Sequence, residues 1–303
     1  APLARWSRDQ GCPRLSARTA ALTALAMIAF AANSLLCRLA LGGGEIDAAS
    51  FTTIRVVSGA LVLVLISMAR NGRVAREAAN WRSAAALFLY MVFFSFAYIS
   101  LGAAVGALIL FGAVQLTMFA FALRSGERFA AVSWGGLALA AAGLIYLVSP
   151  GLSAPDPLGA ILMAVAGVAW GVYSLLGRGA ADPLAATTMN FIYCAPIVAV
   201  VSLVSLDGAH VSAAGATLAI VSGAIASGCG YVIWYAALPG LSAARAATVQ
   251  LSVPVIAAIG AVLLLSEAIT PRLILASIAT LGGVAIVLAQ RAARPIQAGL
   301  GGR

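Results

Sequence analysis

The stretch SLLCR, residues Ser34 to Arg38, ends the first long apolar run of the chain. A second stretch, SLLGR, residues Ser174 to Arg178, ends another apolar run 140 residues later. The same offset relates Glu127 to Glu267, and each of these glutamates comes just before the last apolar run of its half. These coincidences predict that a gene segment was duplicated and that the chain contains two homologous halves.

The composition is that of a protein that spans a membrane many times. Of the 303 residues, 63% are hydrophobic and only 9% are charged, whereas a soluble domain has about a quarter charged residues. The apolar runs are about 20 residues long, which is the length that a helix needs to cross the hydrocarbon of a bilayer. We predict ten spans, at Thr19–Leu41, Ala48–Met68, Ser83–Leu101, Ala104–Leu123, Phe129–Val148, Leu158–Leu176, Ala185–Val204, Ala213–Ala237, Ala243–Leu265 and Leu273–Gln290.

The number of spans in each half decides how the halves are related. Five is odd, so a half that enters the membrane on one side leaves on the other, and its copy is inverted, as in many secondary transporters. The prediction is an all-α membrane protein with ten transmembrane helices in two inverted five-helix repeats. Its parts are a basic cytoplasmic arm (1–18), the first repeat (19–148), the second repeat (158–290) and a cytoplasmic tail (291–303).

The net charge of +9 comes from 18 arginines and no lysine. Most of the arginines lie between the apolar runs, so they indicate topology and not a nucleic-acid-binding patch. With ten spans, one membrane face receives nearly all of them, including Arg18, Arg70, Arg73, Arg82, Arg124, Arg245 and Arg291. The loops on the other face hold Glu45, Asp47, Asp156, Asp207, His210 and Glu267, with Arg272 as the exception. The positive-inside rule then predicts that both termini are cytoplasmic.

Several local patterns resemble the drug/metabolite transporter superfamily, specifically its EamA-type members. AANSLLCR is similar to the first-span pattern of that family, with Arg38 where lysine is commoner, and FTTIR places Arg55 like the family's second-span arginine. SVPVIAAIGAVLLLSE, residues 252–267, is similar to the ninth-span stretch with a central proline and a terminal glutamate, and LGGVAIVLAQ resembles the end of the tenth span. The resemblance covers roughly residues 19–292.

This resemblance implies a multi-pass transporter of a bacterial inner membrane that exports small metabolites, most often amino acids, by alternating access. Aromatic residues in spans three, six and eight favour a likeness to the YddG-type amino acid exporters, for aromatic or broadly neutral amino acids. In such proteins spans one to four and six to nine surround a central cavity, and spans five and ten lie outside. The alternatives are a multidrug exporter and a flippase for a lipid-linked sugar.

Polar and aromatic residues inside the spans are the candidates for lining such a cavity, because a polar group that faces lipid is costly. Packing between helices and positions in the interfacial aromatic belt are the alternatives for each of them. A glutamine amide can bind the carboxylate or the ammonium group of an amino acid without bringing its own charge. The predicted substrate-cavity residues are Asn33, Tyr90, Phe94, Tyr98, Gln115, Trp170, Tyr173, Trp234, Tyr235 and Gln250.

Pro254 lies in the middle of the ninth span, where it removes one hydrogen bond of the helix. We predict that it acts as a hinge.

Charged residues near the span ends are predicted to have structural roles. Arg38 and Arg178 would each end a span and extend the guanidinium to water or lipid phosphate. Arg55 lies about 10 Å into the second span, where an intramembrane cation is a functional candidate by default. We favour an anchor that reaches the outer interface, with Glu45 or Asp47 as its partner. The set with predicted structural roles is Arg38, Arg55, Glu127, Arg178 and Glu267.

The spans contain no acidic residue near their middle, and His210 lies in a loop. There is also no Walker motif, so the prediction is facilitated export without ATP, with proton exchange as the alternative. An intramembrane enzyme is not expected, because a membrane-embedded histidine, an HExxH motif and aspartate-rich prenyl-transfer motifs are all missing from the sequence. We predict no cofactor and no metal, a small-molecule substrate and the lipid bilayer as partners, and a monomer, with a dimer as the alternative.

Overall fold

The computed structural model describes residues 16–74, 80–127, 129–151, 153–177, 180–241 and 243–293. Most of the predicted arm and tail, residues 1–15 and 294–303, lies outside these ranges. The helices are α1 (Ala17–Gly42), α2 (Ala48–Asn71), α3 (Trp81–Ala97), α4 (Ala103–Arg124), α5 (Ala131–Val148), α6 (Pro157–Leu176), α7 (Pro183–Val204), α8 (Ala213–Val221), the π-helix (Ser222–Cys229), α9 (Gly230–Ala237), α10 (Ala243–Gln250), α11 (Ser252–Leu265) and α12 (Pro271–Ala293).

The helices begin and end where short polar side chains and glycines occur in the sequence. The Asp47 carboxylate accepts a hydrogen bond from the Ser50 N–H at 2.8 Å, and Asp156 accepts one from the Gly159 N–H at 2.6 Å. Such caps satisfy N–H groups that have no partner within the helix. At the other end of α2, Gly72 has a φ of 67°, a left-handed conformation that stops the helix.

Nine helical stretches in the described part of the chain are long and apolar enough to cross a membrane. Two of them are composite, because α8, the π-helix and α9 form one stretch and α10 with α11 forms another. The predicted third span corresponds to α3, a shorter apolar helix of 17 residues. The prediction of an all-helical, multi-pass membrane protein is confirmed, and the count of ten spans stays a prediction.

The π-helix (Ser222–Cys229) interrupts the eighth predicted span, where the sequence is GAIASGCGY. Glycines let this segment approach α2 closely. A Cβ atom on Gly223 would overlap the backbone oxygen of Arg55 and the side chain of Ser58. A Cβ atom on Gly59 would lie 2.7 Å from the ring of Phe191 and 3.0 Å from the Gly223 oxygen. The two backbones are therefore packed at a distance that only glycine permits.

The ninth predicted span is broken in its first half. The helix α10 ends at Gln250 and α11 begins at Ser252. Pro254, the predicted hinge, is in the first turn of α11, and it lacks the N–H that would bond the Gln250 carbonyl. The structure thus places the helix break one turn before Pro254. A second interior proline, Pro196, lies within α7.

The helices α1 to α4 and α6 to α11 pack around a common centre. The helix α1 contacts the π-helix, α9 and α11, while α6 contacts α3 and α4, and α2 packs on α7. The helix α5 packs chiefly against α12. In that pair a Cβ atom on Gly136 would lie 2.7 Å from the Gly283 oxygen, and Ala140, Val284 and Leu288 form a small apolar cluster of their own.

The bundle has two ends of different charge. At the acidic end, which we define by the connections 43–47, 98–102, 149–156, 205–212 and 266–270, Asp47 donates its N–H to the His210 oxygen at 3.0 Å. The Ser100 hydroxyl donates to Asp156 at the same end, at 2.9 Å. The basic end is defined by the described residues of four other connections, 72–74 with 80, 125–127 with 129–130, 177 with 180–182, and 238–241. Most of the described arginines lie near it.

Candidate functional site

A cavity of about 890 Å³ lies in the basic half of the bundle. Its wall includes residues of the connections at the basic end, among them Glu127, Phe129, Gly177 and Ala180. Deeper in the bundle, the wall is formed by Phe30 of α1 and by side chains of α4, α6, α9 and α10. The helices α5 and α12 also contribute to it, through residues such as Leu137 and Val287, although the fifth and tenth spans were expected to lie outside the cavity. The volume falls within the range of sites that enclose a small ligand.

Six of the ten predicted cavity residues line this space: Gln115, Trp170, Tyr173, Trp234, Tyr235 and Gln250. They come from four helices that are distant in the sequence, and the fold brings them together. Their role as substrate contacts remains a prediction.

Aromatic rings form the inner end of the cavity. The rings of Trp170 and Tyr231 are stacked, with centroids 5.4 Å apart and an angle of 20° between the planes. The ring of Trp170 also lies 5.4 Å from that of Tyr173. On the other side of Tyr231, the ring of Phe30 is 5.9 Å away. Neither Phe30 nor Tyr231 was in the predicted set, although the position of Tyr231 inside an apolar run is the same kind of signal that identified Trp234.

A second, much smaller cavity of about 20 Å³ lies beyond these rings. A space of this size holds one water molecule. Three other predicted residues, Asn33, Tyr90 and Phe94, line it. The two cavities share the rings of Phe30, Trp170 and Tyr231, so these three side chains form the partition between them.

The structure places Tyr98, the tenth predicted residue, outside both cavities. Its ring packs edge-on against Phe94 at 4.8 Å, and its hydroxyl donates to the Ala103 oxygen at 3.5 Å. Spacing by four residues on α3 therefore aligns Tyr98 with Tyr90 and Phe94, but one further turn carries it to the acidic end. There it is fully buried.

The position of the Arg55 side chain differs from the predicted one, which was at the outer interface. Its side chain is fully buried. It donates from Nη2 to the Tyr90 hydroxyl and to the Ser227 hydroxyl, each at 3.3 Å. Neither Glu45 nor Asp47 pairs with it. The reason is that residue 55 lies on the face of α2 that packs on the π-helix, where the Ser227 hydroxyl is within reach of its guanidinium. No signal in the sequence identified Ser227 beyond its place among glycines.

Arg38 is partly exposed, and it also has protein partners that were not predicted. Its Nε lies 3.3 Å from Oε1 of Glu267, and its Nη1 donates to the Ile99 oxygen at 3.2 Å. Glu267 accepts the Ala103 N–H at 2.9 Å. The pair is attracted by backbone groups that helix ends leave free, the carbonyls at the end of α3 and the N–H at the start of α4. It holds α1, α3, α4 and the end of α11 together.

Of the remaining charged residues of the predicted set, Glu127 is at the basic end. Glu127 is exposed and lines the large cavity. Arg178 lies outside the described residues.

Comparisons with known proteins identify the chain at the level of family. A profile described as the EamA-like transporter family matches residues 157–289. The uncharacterized protein PA1977 of Pseudomonas aeruginosa is 49% identical over 282 residues, which cover 93% of this chain and 98% of that protein. A crystal structure of a protein with 18% sequence identity has a TM-score of 0.62 and covers 90% of this chain and 99% of its own, which shows a shared fold. Residues 157–289 of the chain belong to the EamA-like transporter family, a family of membrane transporters.

Proposed function

We propose that the protein is a secondary transporter that exports amino acids, aromatic or broadly neutral, by facilitated alternating access. The observation that carries this proposal is the large cavity, which reaches the basic end of the bundle and is closed towards the acidic end. A cavity that stops inside a membrane bundle suits a carrier that exposes its site to one side at a time.

The residues around the cavity favour a small zwitterion over a large lipid. Gln115 and Gln250 present amides that can pair with either a carboxylate or an ammonium group. The rings of Trp170 and Trp234 offer faces for an apolar side chain or for the ammonium group. The proposal includes no metal and no cofactor. The proposed functional unit is a monomer in the membrane.

The closed end is the acidic one. The Arg38–Glu267 ion pair and the Glu267 contact with the Ala103 N–H join α1, α4 and α11 there. The Ile46–Val211 bridge ties the start of α2 to the start of α8 at the same end. If the positive-inside rule holds, the basic end and both termini are cytoplasmic, the membrane is the bacterial inner membrane, and this is the inward-open state.

We further propose that the halves, 19–148 and 158–290, are inverted repeats with ten spans. The main contacts between helices support this, because each has a counterpart when the two halves are exchanged. The α3–α6 contact corresponds to the contact of the α8–π-helix–α9 stretch with α1, and the α4–α6 contact corresponds to the α11–α1 contact. The pairs α2–α7, α4–α11 and α5–α12 map onto themselves. The profile match beginning at residue 157 also suits a repeat boundary there. In this mechanism Pro254 acts as the hinge and Glu127 as a structural charge near the basic entrance.

The test is uptake of labelled methionine, threonine and phenylalanine into proteoliposomes, first at equal pH on both sides and then with a pH gradient. We expect uptake without a gradient and a loss of at least about tenfold in Trp170→Ala and Trp234→Ala, because each substitution removes a large contact surface. The matched control is Trp134→Ala, since Trp134 lies half exposed on α5 and lines neither cavity.

Each other outcome has a definite meaning. Uptake only with a pH gradient would replace facilitated diffusion by proton exchange. No uptake by correctly folded protein would reject amino acids as substrates and leave the drug or lipid-linked sugar alternatives. Equal loss in Trp134→Ala would show that the cavity tryptophans have no special role.

A further inference from the structure

Arg55 is a fully buried cation without a carboxylate partner in the described part of the chain. Its hydrogen bonds go only to the neutral hydroxyls of Tyr90 and Ser227, at 3.3 to 3.4 Å. These distances are long for a charged donor, which usually forms bonds of about 2.7–2.9 Å with a carboxylate. The guanidinium therefore has weak partners.

The Nη1 atom at one end of the guanidinium is buried and makes no hydrogen bond with any residue that the structure describes. The carbon Cζ lies 5.0 Å from the ring centre of Phe94 and 5.5 Å from that of Tyr90, so two ring faces compensate part of the charge. A buried charge without a counter-charge is expensive, and one that is kept inside a membrane bundle marks a functional site by default.

The surroundings of Arg55 lead to the transport cavity. The wall of the small cavity includes Tyr90, Phe94 and Ser227, and each of these side chains contacts Arg55, which is not itself part of that wall. Only the rings of Trp170 and Tyr231, together with Phe30, separate this small space from the large cavity. A substrate in the large cavity is thus one aromatic layer away from an unpaired cation.

We propose that Arg55 is the carboxylate-binding subsite of the transport pathway, and that the carrier selects small organic acids, with amino acids among them, over amides and amines. This inference rests on the proposed transport function and deepens it. The rings of Trp170 and Tyr231 must separate for the carboxylate to enter, because the small cavity holds only about one water molecule in this state. Once there, the carboxylate meets the parallel N–H donors of the Arg55 guanidinium in a site with little water, where an ion pair is strong.

The experiment measures binding to purified protein through quenching of tryptophan fluorescence, since Trp170 lies on the path. The probes share one ring and differ in their polar group: phenylalanine, 3-phenylpropanoate, phenylalanine amide and phenethylamine. We expect the two carboxylates to bind at least about tenfold more tightly than the amide and the amine. In Arg55→Gln this preference should disappear. In Arg55→Lys it should be retained in part, because the positive charge remains and the paired N–H donors of the guanidinium are lost.

The matched control is Arg272→Gln. Arg272 also has a ring beside its guanidinium, at 5.5 Å from Tyr146, but it lies at the acidic end and donates to Ser149 and Pro150. The control should keep the preference for carboxylates. If Arg55→Gln does not fold, Arg55→Lys decides the matter, because a preference for carboxylates that is unchanged in this variant would overturn the subsite.

The outcomes separate this inference from the transport proposal. Arg55-dependent binding of 3-phenylpropanoate, without uptake of any amino acid, would keep the carboxylate subsite and reject amino acid export. Uptake of phenylalanine with equal binding of its amide, or with an unchanged preference in Arg55→Gln, would overturn the subsite and keep the transport proposal. Failure of both carboxylates to bind the wild type would also overturn it.

Discussion

At the scale of single residues, the described structure pairs charges where helix ends leave backbone groups free. Glu267 shows this best, because one carboxylate accepts the Ala103 N–H and pairs with Arg38, whose guanidinium also bonds carbonyls that follow α3. Both side chains of the pair are partly exposed, at 27% and 20%, so solvent weakens the attraction. The pair matters more for what it joins than for its strength.

The first prediction concerns this pair. Glu267→Gln keeps an acceptor for the Ala103 N–H and removes the charge, so we expect a loss of stability of about 1 kcal/mol. The looser acidic end should also expose Cys37, which is fully buried one residue before Arg38. The measurements are thermal unfolding in detergent and the rate at which N-ethylmaleimide labels Cys37, followed by peptide mass spectrometry.

The control for this prediction is Glu45→Gln. Glu45 is a carboxylate at the same end that accepts the Ser212 hydroxyl at 2.6 Å and pairs with no arginine in the described part of the chain. Labelling of Cys37 should rise only in Glu267→Gln. An equal rise in both variants would show that the Arg38–Glu267 pair is not what holds the end closed.

At the scale of elements, the π-helix is the feature that shapes the centre of the bundle. A π-turn is wider than an α-turn and often occurs at functional sites. Here it presents Ser222 to Asn33, with 2.7 Å between the hydroxyl and the amide oxygen, and Ser227 to Arg55. Its glycines bring it against α2, so the element sets both the position of Arg55 and the shape of the small cavity.

The prediction for this element is that Gly223→Ala will disrupt it. A methyl group there would overlap the Arg55 oxygen and the Ser58 hydroxyl, and such overpacking costs about 1–3 kcal/mol. Gly282→Ala is the control, because that glycine, in α12, has open space where the methyl group would lie. It should be neutral or stabilising by up to about 1 kcal/mol. Thermal unfolding of both variants checks this, and equal stability of the two would contradict the close packing.

Some elements could be predicted from the sequence, and others could not. Apolar length and turn residues placed the second span at Ala48–Met68, and the helix found is Ala48–Asn71. The third span was predicted at Ser83–Leu101, but the helix ends at Ala97, where Tyr98 and Leu101 turn inward. The π-helix could not be predicted, because glycine and serine indicate close packing but do not specify the type of helical turn. The partners of Arg55 and Arg38 come from distant helices, and spacing along the chain does not encode such contacts.

At the scale of the whole molecule, the proposed ten spans place the termini on one side and the acidic end on the other. The prediction is that a green fluorescent protein fused after Arg303 will fluoresce in cells, because it folds in the cytoplasm. Alkaline phosphatase inserted after Gly208, in the connection at the acidic end, should be active, because that enzyme requires the outside. Fluorescence and phosphatase activity of cells expressing each fusion are the measurements.

The reciprocal fusions are the controls for this orientation. Phosphatase fused after Arg303 should be inactive, and green fluorescent protein inserted after Gly208 should not fluoresce. An active phosphatase at both sites would place the two positions on the same side of the membrane and exclude the odd number of spans that is predicted between Gly208 and Arg303.

The buried guanidinium of Arg55 also has an electrical consequence. It lies about 10 Å from the start of α2, so it is inside the voltage drop of the bilayer. A full elementary charge crossing that drop involves about 2.3 kcal/mol per 100 mV. When the carrier of the proposed cycle changes the side from which water reaches Arg55, the empty form moves part of a positive charge through the field. A form that holds a simple carboxylate is nearly neutral there, whereas a zwitterionic amino acid brings its own ammonium group and leaves the net charge positive. In the proposed cycle, membrane voltage therefore drives the return of the empty carrier, and it acts on the loaded step only when the substrate carries an ammonium group.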